Sequence, residues 1–229
     1  MNLFDFLKGL FFVPRCAVCG RECEAGCLCG HCRTKYEQEK KKTCGVCHGR
    51  YDACQCRPQF ASPYIASYRR VTYYSEERVS GRLVLEAKSR ANRELNGFLA
   101  SEMALCAKMQ GVSSDVIVYV PCSEHSYMKK GFDHGAQLAN ALGRRMGIPV
   151  VNCLVRKKGS EQKKLGAAER LDNCKESLFA KRGAEKRIAG KRVLLVDDIM
   201  TTGASALVAS VHLNEMGADR IDFLSFGGR

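Results

Sequence analysis

The stretch Val-Leu-Leu-Val-Asp-Asp-Ile-Met-Thr-Thr-Gly-Ala-Ser at residues 193–205 joins a strand, a turn and the start of a helix. Its four leading apolar residues predict a buried parallel strand. Asp197 and Asp198 follow at the carboxyl end of that strand, and the apolar residues after the turn recur at helical spacing. In open α/β sheets, ligands bind at this edge because loops and helix amino termini converge there. The stretch therefore predicts a ligand site at the end of a central strand.

The turn itself offers hydroxyl and backbone N–H groups to a phosphate, and the helix dipole favours an anion at this position. The carboxylates of Asp197 and Asp198 can accept hydrogen bonds from sugar hydroxyls, so one loop could hold a phosphate and a ribose together. The alternative is an ordinary turn whose acidic residues only cap the helix. Adjacent carboxylates repel each other and have no use in packing, which favours the ligand site.

These residues resemble the phosphoribosyl-pyrophosphate (PRPP) signature of type I phosphoribosyltransferases. The resemblance implies that Asp197 and Asp198 hold the two ribose hydroxyls. Purine-salvage relatives carry an Asp just before the Thr-Gly pair, where this chain has Thr201, which argues against a standard purine-salvage enzyme. The residues that would cradle the 5′-phosphate are Thr201, Thr202, Gly203, Ala204 and Ser205.

The cysteines divide the chain, because ten of the 14 lie between Cys16 and Cys56. A Cys-x2-Cys turn points two sulfurs at one metal, and two such turns complete a tetrahedral thiolate site. We expect one or two structural zinc ions, whose bonds would stabilise a segment with few large apolar residues. With the motifs paired in chain order, the expected ligands are Cys16, Cys19, Cys29 and Cys32 for one ion and Cys44, Cys47, Cys54 and Cys56 for the other.

Other arrangements of this segment stay open at the level of sequence. A crossed pairing of the motifs uses the same eight ligands. A neighbouring residue could replace one of them, and the residues available for this are Cys23, Cys27, His31 and His48. A secreted, disulfide-rich fold is disfavoured because no secretion signal precedes the cysteines.

Pro58 and Pro63 mark the junction between residues 1–57, an amphipathic segment plus double zinc ribbon, and a second domain at residues 58–229. Strand–helix alternation in the second domain predicts an α/β fold with a parallel sheet and right-handed crossovers. The Lys-rich stretch over residues 157–170 predicts a mobile loop. The predicted elements are a β-hairpin at residues 64–74, a helix carrying Leu95 to Cys106, a helix over Gly135–Met146, and strands over Val116–Val120, Val150–Val155, Val193–Val196 and Ile221–Phe226.

Paired cysteine motifs followed by a PRPP-type domain are similar, over essentially the whole chain, to the ComF competence-protein family, relatives of the amidophosphoribosyltransferases. The resemblance implies a type I phosphoribosyltransferase-like parallel sheet flanked by helices, preceded by a small Cys-rich zinc-ribbon module. The family's Pro-Val-Pro turn is matched in part by Val120-Pro121-Cys122, and its Arg-Gly-Phe-Asn-Gln reads Lys130-Gly131-Phe132-Asp133-His134 here. Its remaining motif residues match Lys88, Gln162, Arg170 and Asn173.

This resemblance implies a Mg²⁺-dependent, PRPP-binding phosphoribosyltransferase with an unknown acceptor and a role in DNA uptake during natural transformation. Mg²⁺ would neutralise the departing pyrophosphate, and the mobile loop would exclude water. A different class of function is a catalytically silent adaptor that responds to PRPP or binds single-stranded DNA. The residues implied in catalysis are Asp197, Asp198, Lys88 and Lys130, and Pro121, Arg156 and Arg170 would join the PRPP-binding loop.

The composition suits anionic partners. The 229 residues carry a formal charge of +13, which two zinc ions on eight thiolates would lower to about +9. Basic runs at residues 40–42, 69–70 and 181–192 could follow a single strand, although 8% aromatic content without tryptophan gives little support for base stacking. Residues 1–14 lack the basic start and cleavage site of a signal peptide and predict a short amphipathic helix. We therefore expect a cytoplasmic protein without stable membrane insertion, with the DNA-uptake machinery as a further partner.

Overall fold

The computed structural model describes residues 14–24, 26–44, 46–157 and 166–228. Its centre is a four-stranded sheet in the order β1-β6-β5-β2, in which every neighbouring pair is parallel. A separate antiparallel ribbon pairs β3 with β4. The strands are β1 (Ile65–Tyr73), β2 (Val116–Tyr119), β3 (Leu154–Arg156), β4 (Leu178–Ala180), β5 (Arg192–Met200) and β6 (Arg220–Gly228).

Helices cover both faces of the sheet, and three of them begin at side-chain caps from Asn92, Ser123 and Asp133. Successive residues of β5 point to opposite faces, so Leu194 packs in one core and Leu195 in the other. The helices are α1 (Gly30–Lys40), α2 (Val79–Ser89), α3 (Arg93–Met109), α4 (Glu124–Lys130), α5 (His134–Met146), α6 (Ala167–Ser177), α7 (Glu185–Ile188) and α8 (Ala204–Glu215), with a 3-10 turn at Tyr51–Ala53.

The cysteine-rich module shares its core with the α/β domain. The ring of Tyr36 on α1 is fully buried, stacks on Phe226 at 6.1 Å between centroids and meets the edge of Phe98 at 5.4 Å. The Lys40 ammonium lies 2.7 Å from the Glu102 carboxylate on α3. A segment too poor in large apolar residues to form its own core is thus stabilised by docking on the larger domain.

The predicted α/β fold class with a parallel sheet flanked by helices is confirmed. The predicted helices that correspond to α3 and α5, and the predicted strands that correspond to β2, β5 and β6, are confirmed as well. The hairpin predicted at residues 64–74 is wrong. Those residues form the single strand β1, which pairs in parallel with β6 from Ile65↔Ile221 to Tyr73↔Gly228. Alternating aromatic and small residues fit one long strand as well as a hairpin, and no Gly or Asn marks a turn there.

The strand predicted over Val150–Val155 is mostly wrong. Val150 makes one isolated bridge to Ile117, and regular pairing covers only Leu154–Arg156, which runs antiparallel to β4. The predicted mobile loop overlaps residues outside the described part, but Arg170 lies on α6. The predicted helix at residues 1–14 and the motif residue Gln162 fall outside the described residues, Pro14 excepted. The boundary between residues 57 and 58 stays a prediction.

Candidate functional site

The loop between β5 and α8 is held in place by the segment that follows the cysteine-rich module. Gly203 has φ +86°, and an added Cβ would lie 2.6 Å from the Pro58 Cγ atom, so only glycine fits there without strain. The Phe60 N–H donates to the Thr202 carbonyl at 2.8 Å, and the Ala204 N–H faces the Thr202 hydroxyl at 3.4 Å. The turn is therefore fixed before any ligand arrives.

Two adjoining cavities lie at this loop, one of about 500 Å³ and one of about 140 Å³. Arg170, Asp197 and Thr201 line both of them. The structure thus brings every predicted PRPP-site residue to one place, although they come from six elements and the loops between them. The larger cavity is lined by Lys88, Pro121, Lys130, Arg156, Arg170, Asp197, Asp198 and Thr201, and the smaller by Thr201, Thr202, Gly203, Ala204 and Ser205.

The two carboxylates occupy different environments. The Lys88 ammonium lies 2.9 Å from the Asp198 carboxylate, whereas Asp197 accepts the backbone N–H of Asp198 at 2.8 Å. Burial and the neighbouring charge of Asp198 raise the pKa of Asp197 to about 7, against the opposing effect of Lys88 and Arg156. Burial opposes the charge on Lys88, but the attraction of Asp198 outweighs it and raises the pKa of Lys88. Such a strained acid pair in a cavity is typical of a ligand site.

Basic side chains approach the hydroxyl groups of the loop. Arg156 at the end of β3 donates to the Ser205 hydroxyl at 2.9 Å, and its Nε is buried without a hydrogen-bond partner. Arg170 on α6 donates to the Thr201 hydroxyl at 3.3 Å. Both guanidinium groups can therefore exchange a weak hydroxyl contact for an anion, which binds such a group more strongly.

His134 is a cavity residue that the sequence did not assign to the site. Only 6% of the residue is exposed, both ring nitrogens are buried without a hydrogen bond, and Nε2 lies 3.5 Å from the Asp198 carboxylate. Burial lowers the pKa of His134 and so favours its neutral form. The sequence feature that pointed to His134 is that Asp133-His134 replaces the Asn-Gln pair of the ComF motif. The neighbouring Asp133 caps α5.

The described cysteine-rich residues hold two groups of four thiols. Within each group, all four sulfurs lie within 4.8 Å of one another. Neighbouring sulfurs are 3.7 Å apart for Cys19 and Cys29 and for Cys47 and Cys54. Four sulfurs bound about 2.3 Å from a zinc ion would lie about 3.8 Å apart, so both groups fit zinc. The groups are Cys16, Cys19, Cys29, Cys32 and Cys44, Cys47, Cys54, Cys56, which confirms pairing in chain order.

The leftover cysteines have a packing role. Cys23 and Cys27 are buried in the hydrophobic core outside both quartets, and burial raises the pKa of Cys27 to about 11. Donors at Arg21 lower the pKa of Cys19 to about 6. Burial raises the pKa of Cys44, but hydrogen bonds from the backbone N–H groups of Cys47 and Val46 lower it by more, and the result is a pKa of about 6. The pKa of Cys16 is lowered as well, whereas burial raises the pKa of Cys32 and of Cys54, so each quartet combines thiols that ionise at different pH values.

The predicted basic surface is in part wrong. Arg69 and Arg70 are buried, with 9% and 2% exposure, because both side chains belong to the strand β1 inside the fold. The Arg70 guanidinium donates to the Cys56 carbonyl and lies over the Tyr51 ring at 5.7 Å. Arg70 therefore joins the module to the sheet, and neither of these two buried charges is available to a nucleic acid.

None of the helices in the described part of the chain is both long and apolar enough to cross a membrane.

Comparison with known proteins found similarity to one protein family and to several individual proteins. A family model of the phosphoribosyl transferase domain matches residues 132–226. The chain is 24% identical to Competence protein F of Haemophilus influenzae, over 96% of each chain, and 25% identical to Competence protein ComFC of Bacillus subtilis, over 83% of this chain and 79% of that protein. A solved structure, the glutamine PRPP amidotransferase from B. subtilis complexed with ADP and GMP, is 20% identical with a TM-score of 0.40, over 58% of this chain and 26% of that one.

The fold and the family model together define the class of protein: an α/β protein in which residues 132–226 match the phosphoribosyl transferase domain. The matches to the two competence proteins, together with the two cysteine quartets, define this class of protein more narrowly. The chain is similar to the competence proteins F and ComFC, and it carries two zinc-ribbon-like groups of cysteines at its amino-terminal end.

Proposed function

We propose that this protein binds PRPP with Mg²⁺ and acts as a phosphoribosyltransferase. The observation that carries the proposal is that the cavity lined by Asp197 and Asp198 adjoins the cavity lined by residues 201–205, with Asp197 and Thr201 in both. A ribose phosphate combines a vicinal diol, which needs hydrogen-bond acceptors, with a phosphate, which needs donors, and these adjoining cavities offer both. A cavity of about 500 Å³ also falls in the usual range for small-ligand sites.

In this proposal the carboxylates of Asp197 and Asp198 accept hydrogen bonds from the ribose hydroxyls. The hydroxyls and amides of residues 201–205 hold the 5′-phosphate at the amino terminus of α8. Lys88, Lys130 and Arg156 provide positive charge around the pyrophosphate and stabilise the negative charge that develops as it leaves.

The residues of the cavity fit a Mg²⁺–PRPP ligand, because they combine two carboxylates with several cations. Mg²⁺ bound with PRPP would neutralise and orient the leaving pyrophosphate. Asp198 keeps Lys88 charged and next to the ribose edge of the cavity. Arg170 on α6 lies next to Thr201 and lines both cavities, so its guanidinium can contact a phosphate group bound there.

The test is calorimetric titration of PRPP with Mg²⁺ into the wild type and the Asp197→Asn/Asp198→Asn variant. A charge-assisted hydrogen bond contributes about 1.5–3 kcal/mol, so losing one should weaken binding about 10- to 100-fold. Asp219→Asn, an exposed position away from the cavity, is the matched control. An unchanged dissociation constant in a folded double variant would exclude the assignment.

We further propose that the two quartets each bind a structural zinc ion, in the cytoplasm, where thiols stay reduced. The first quartet joins Cys16 and Cys19 to Cys29 and Cys32 at the start of α1, and the second has two ligands on each side of the 3-10 turn. Four thiolates around one ion are the ligand set of a closed structural site. Zinc analysis of the purified protein should give two ions per chain. A preparation without zinc and with cysteines oxidised in pairs would contradict this.

We also propose a role in DNA uptake, which is supported by the similarity to two proteins named as competence proteins. The second candidate function, a catalytically silent adaptor that responds to PRPP or binds single-stranded DNA, is favoured by the net charge of +13. Pyrophosphate release from PRPP in the presence of candidate acceptors supports the enzyme. Binding of PRPP or single-stranded DNA without any release supports the adaptor, and DNA binding should weaken steeply as salt is raised.

A further inference from the structure

One face of helix α1 carries three side chains that act at different places. Its buried residues are Cys32, Tyr36 and Glu39, spaced four and three residues apart, which puts them on one side of a helix. Cys32 belongs to the first cysteine quartet, and Tyr36 packs on the sheet residue Phe226. The helix is thus attached to the candidate metal site at one end and to the α/β domain in its middle.

Glu39, near the other end, caps a helix of the larger domain. Its two carboxylate oxygens accept the backbone N–H groups of Val79 and Ser80, each at 3.0 Å. These are the first two residues of α2, whose own N-cap residue, Arg78, provides no side-chain cap. A buried carboxylate at a helix amino terminus satisfies otherwise unpaired N–H groups and interacts favourably with the helix dipole. The cap comes from a segment 40 residues earlier in the chain.

The far end of α2 reaches the candidate PRPP site. Lys88 lies in its last turn, and its ammonium is 2.9 Å from the Asp198 carboxylate. The path of the helix is tightly constrained, since a Cβ added at Gly81 would overlap the Ser75 carbonyl, and the Ser80 hydroxyl donates to the Tyr73 carbonyl at 3.0 Å. A helix held in this way transmits a shift of its first turn to its last.

We propose that Glu39 is a positioning residue for Lys88, so that the cysteine-rich module sets the geometry of the PRPP site through helix α2. The module is then a structural part of the site and not a separate appendage. The consequence for PRPP rests on the function proposed above, whereas the consequence for Lys88 does not. Displacement of a contacting group by about 1 Å is enough to weaken a site of this kind substantially.

The first test needs no PRPP. Glu39→Ala and Glu39→Gln are compared with Glu37→Ala, an exposed residue on the same helix, with zinc bound and folding checked by thermal unfolding. Hydrogen exchange and the rate at which Lys88 is acylated, both read by mass spectrometry, report on α2. We expect faster exchange along the whole of α2 and several-fold faster acylation of Lys88 in Glu39→Ala. Glu39→Gln, which keeps one acceptor oxygen, should be intermediate, and it serves alone where Glu39→Ala does not fold.

Exchange that increases only at Val79 and Ser80, with an unchanged acylation rate at Lys88, would overturn the proposal.

The second test is a double-mutant cycle with Lys88→Met, read by the PRPP dissociation constant. Glu39→Ala should weaken binding about fivefold in the wild type and not further in the Lys88→Met background. Equal effects in both backgrounds would show that Glu39 does not act through Lys88. Absence of PRPP binding in the wild type would count against the proposed function, while the first test would still decide the role of Glu39.

Discussion

Replacing Asp197 with Asn should make the protein more stable and its proposed ligand site weaker. The carboxylate lies beside Asp198, and burial with the neighbouring charge raises its pKa from an ordinary 3.8 to about 7. A group whose pKa is higher in the folded protein holds its proton more tightly there. As the pH rises from about 4 to about 7, the unfolded chain loses this proton before the folded protein does, so the free energy of unfolding falls. Above about pH 7 both states are ionised, and the loss stays constant.

The magnitude follows from the same values. One pKa unit corresponds to about 1.4 kcal/mol, which sets an upper bound of about 4 kcal/mol on the cost of ionising Asp197. The side chain is only partly shielded from solvent, and its ionisation is coupled to that of Asp198, so the actual cost is smaller. We expect the free energy of unfolding of Asp197→Asn to exceed that of the wild type by about 1–2 kcal/mol above pH 7. Asn can still accept the Asp198 N–H, which keeps the turn intact.

The assay is urea unfolding of the wild type, Asp197→Asn and the exposed control Asp219→Asn at several values between pH 5 and 8, with zinc present. The advantage of Asp197→Asn should grow across this range and level off near its upper end. Calorimetry on the same samples should show PRPP binding at least tenfold weaker. A variant that is less stable at every pH, with unchanged PRPP binding, would mean that Asp197 only caps the helix and would refute the reasoning.

Three further outcomes follow from particular contacts. The pH dependence at Asp222 has the opposite sign, because burial opposes its charge but Arg220 at 2.7 Å and the Ser67 hydroxyl lower its pKa. Asp222→Asn should therefore lower the free energy of unfolding by about 1–2 kcal/mol above pH 4, and by less as the pH falls below that. Gly203→Ala should cost about 1–3 kcal/mol and weaken PRPP binding, because of its positive φ and its closeness to Pro58; unaltered binding and melting would contradict this. Removing zinc with a chelator should increase hydrogen exchange over residues 14–57 and in α2, while β5 and β6 stay protected; full protection of the cysteine-rich segment would count against structural zinc.

The proposed coupling between module and site gives the cysteine-rich segment a function that does not require it to bind nucleic acid. Two of the arginines that could have served such binding, Arg69 and Arg70, are buried instead, and Arg70 donates to the Cys56 carbonyl of the module. The Gln110 side-chain amide also donates to the Asp52 carbonyl, which adds a contact between α3 and the second quartet's segment. The observed contacts thus favour a structural relation between the two parts of the chain.

Local sequence determined those features that depend on neighbouring residues. The strand, acid pair, turn and helix of residues 193–205 lie within one short stretch, and the spacing of the cysteine motifs brings four sulfurs together with little help from the rest of the fold. Their geometry could be predicted because hydrophobic period, glycine and ligand spacing act over a few residues. The roles of the individual PRPP-site residues stay predictions.

Tertiary structure alone decided which distant residues meet. The period of residues 65–73 specifies a strand but not its partner, so the hairpin and the parallel edge strand could not be distinguished from sequence. The approach of Lys88 and His134 to Asp198, and of Glu39 to the first turn of α2, depends on how helices pack on the sheet. Contacts between segments tens of residues apart are set by the packing of whole elements, which no local pattern encodes.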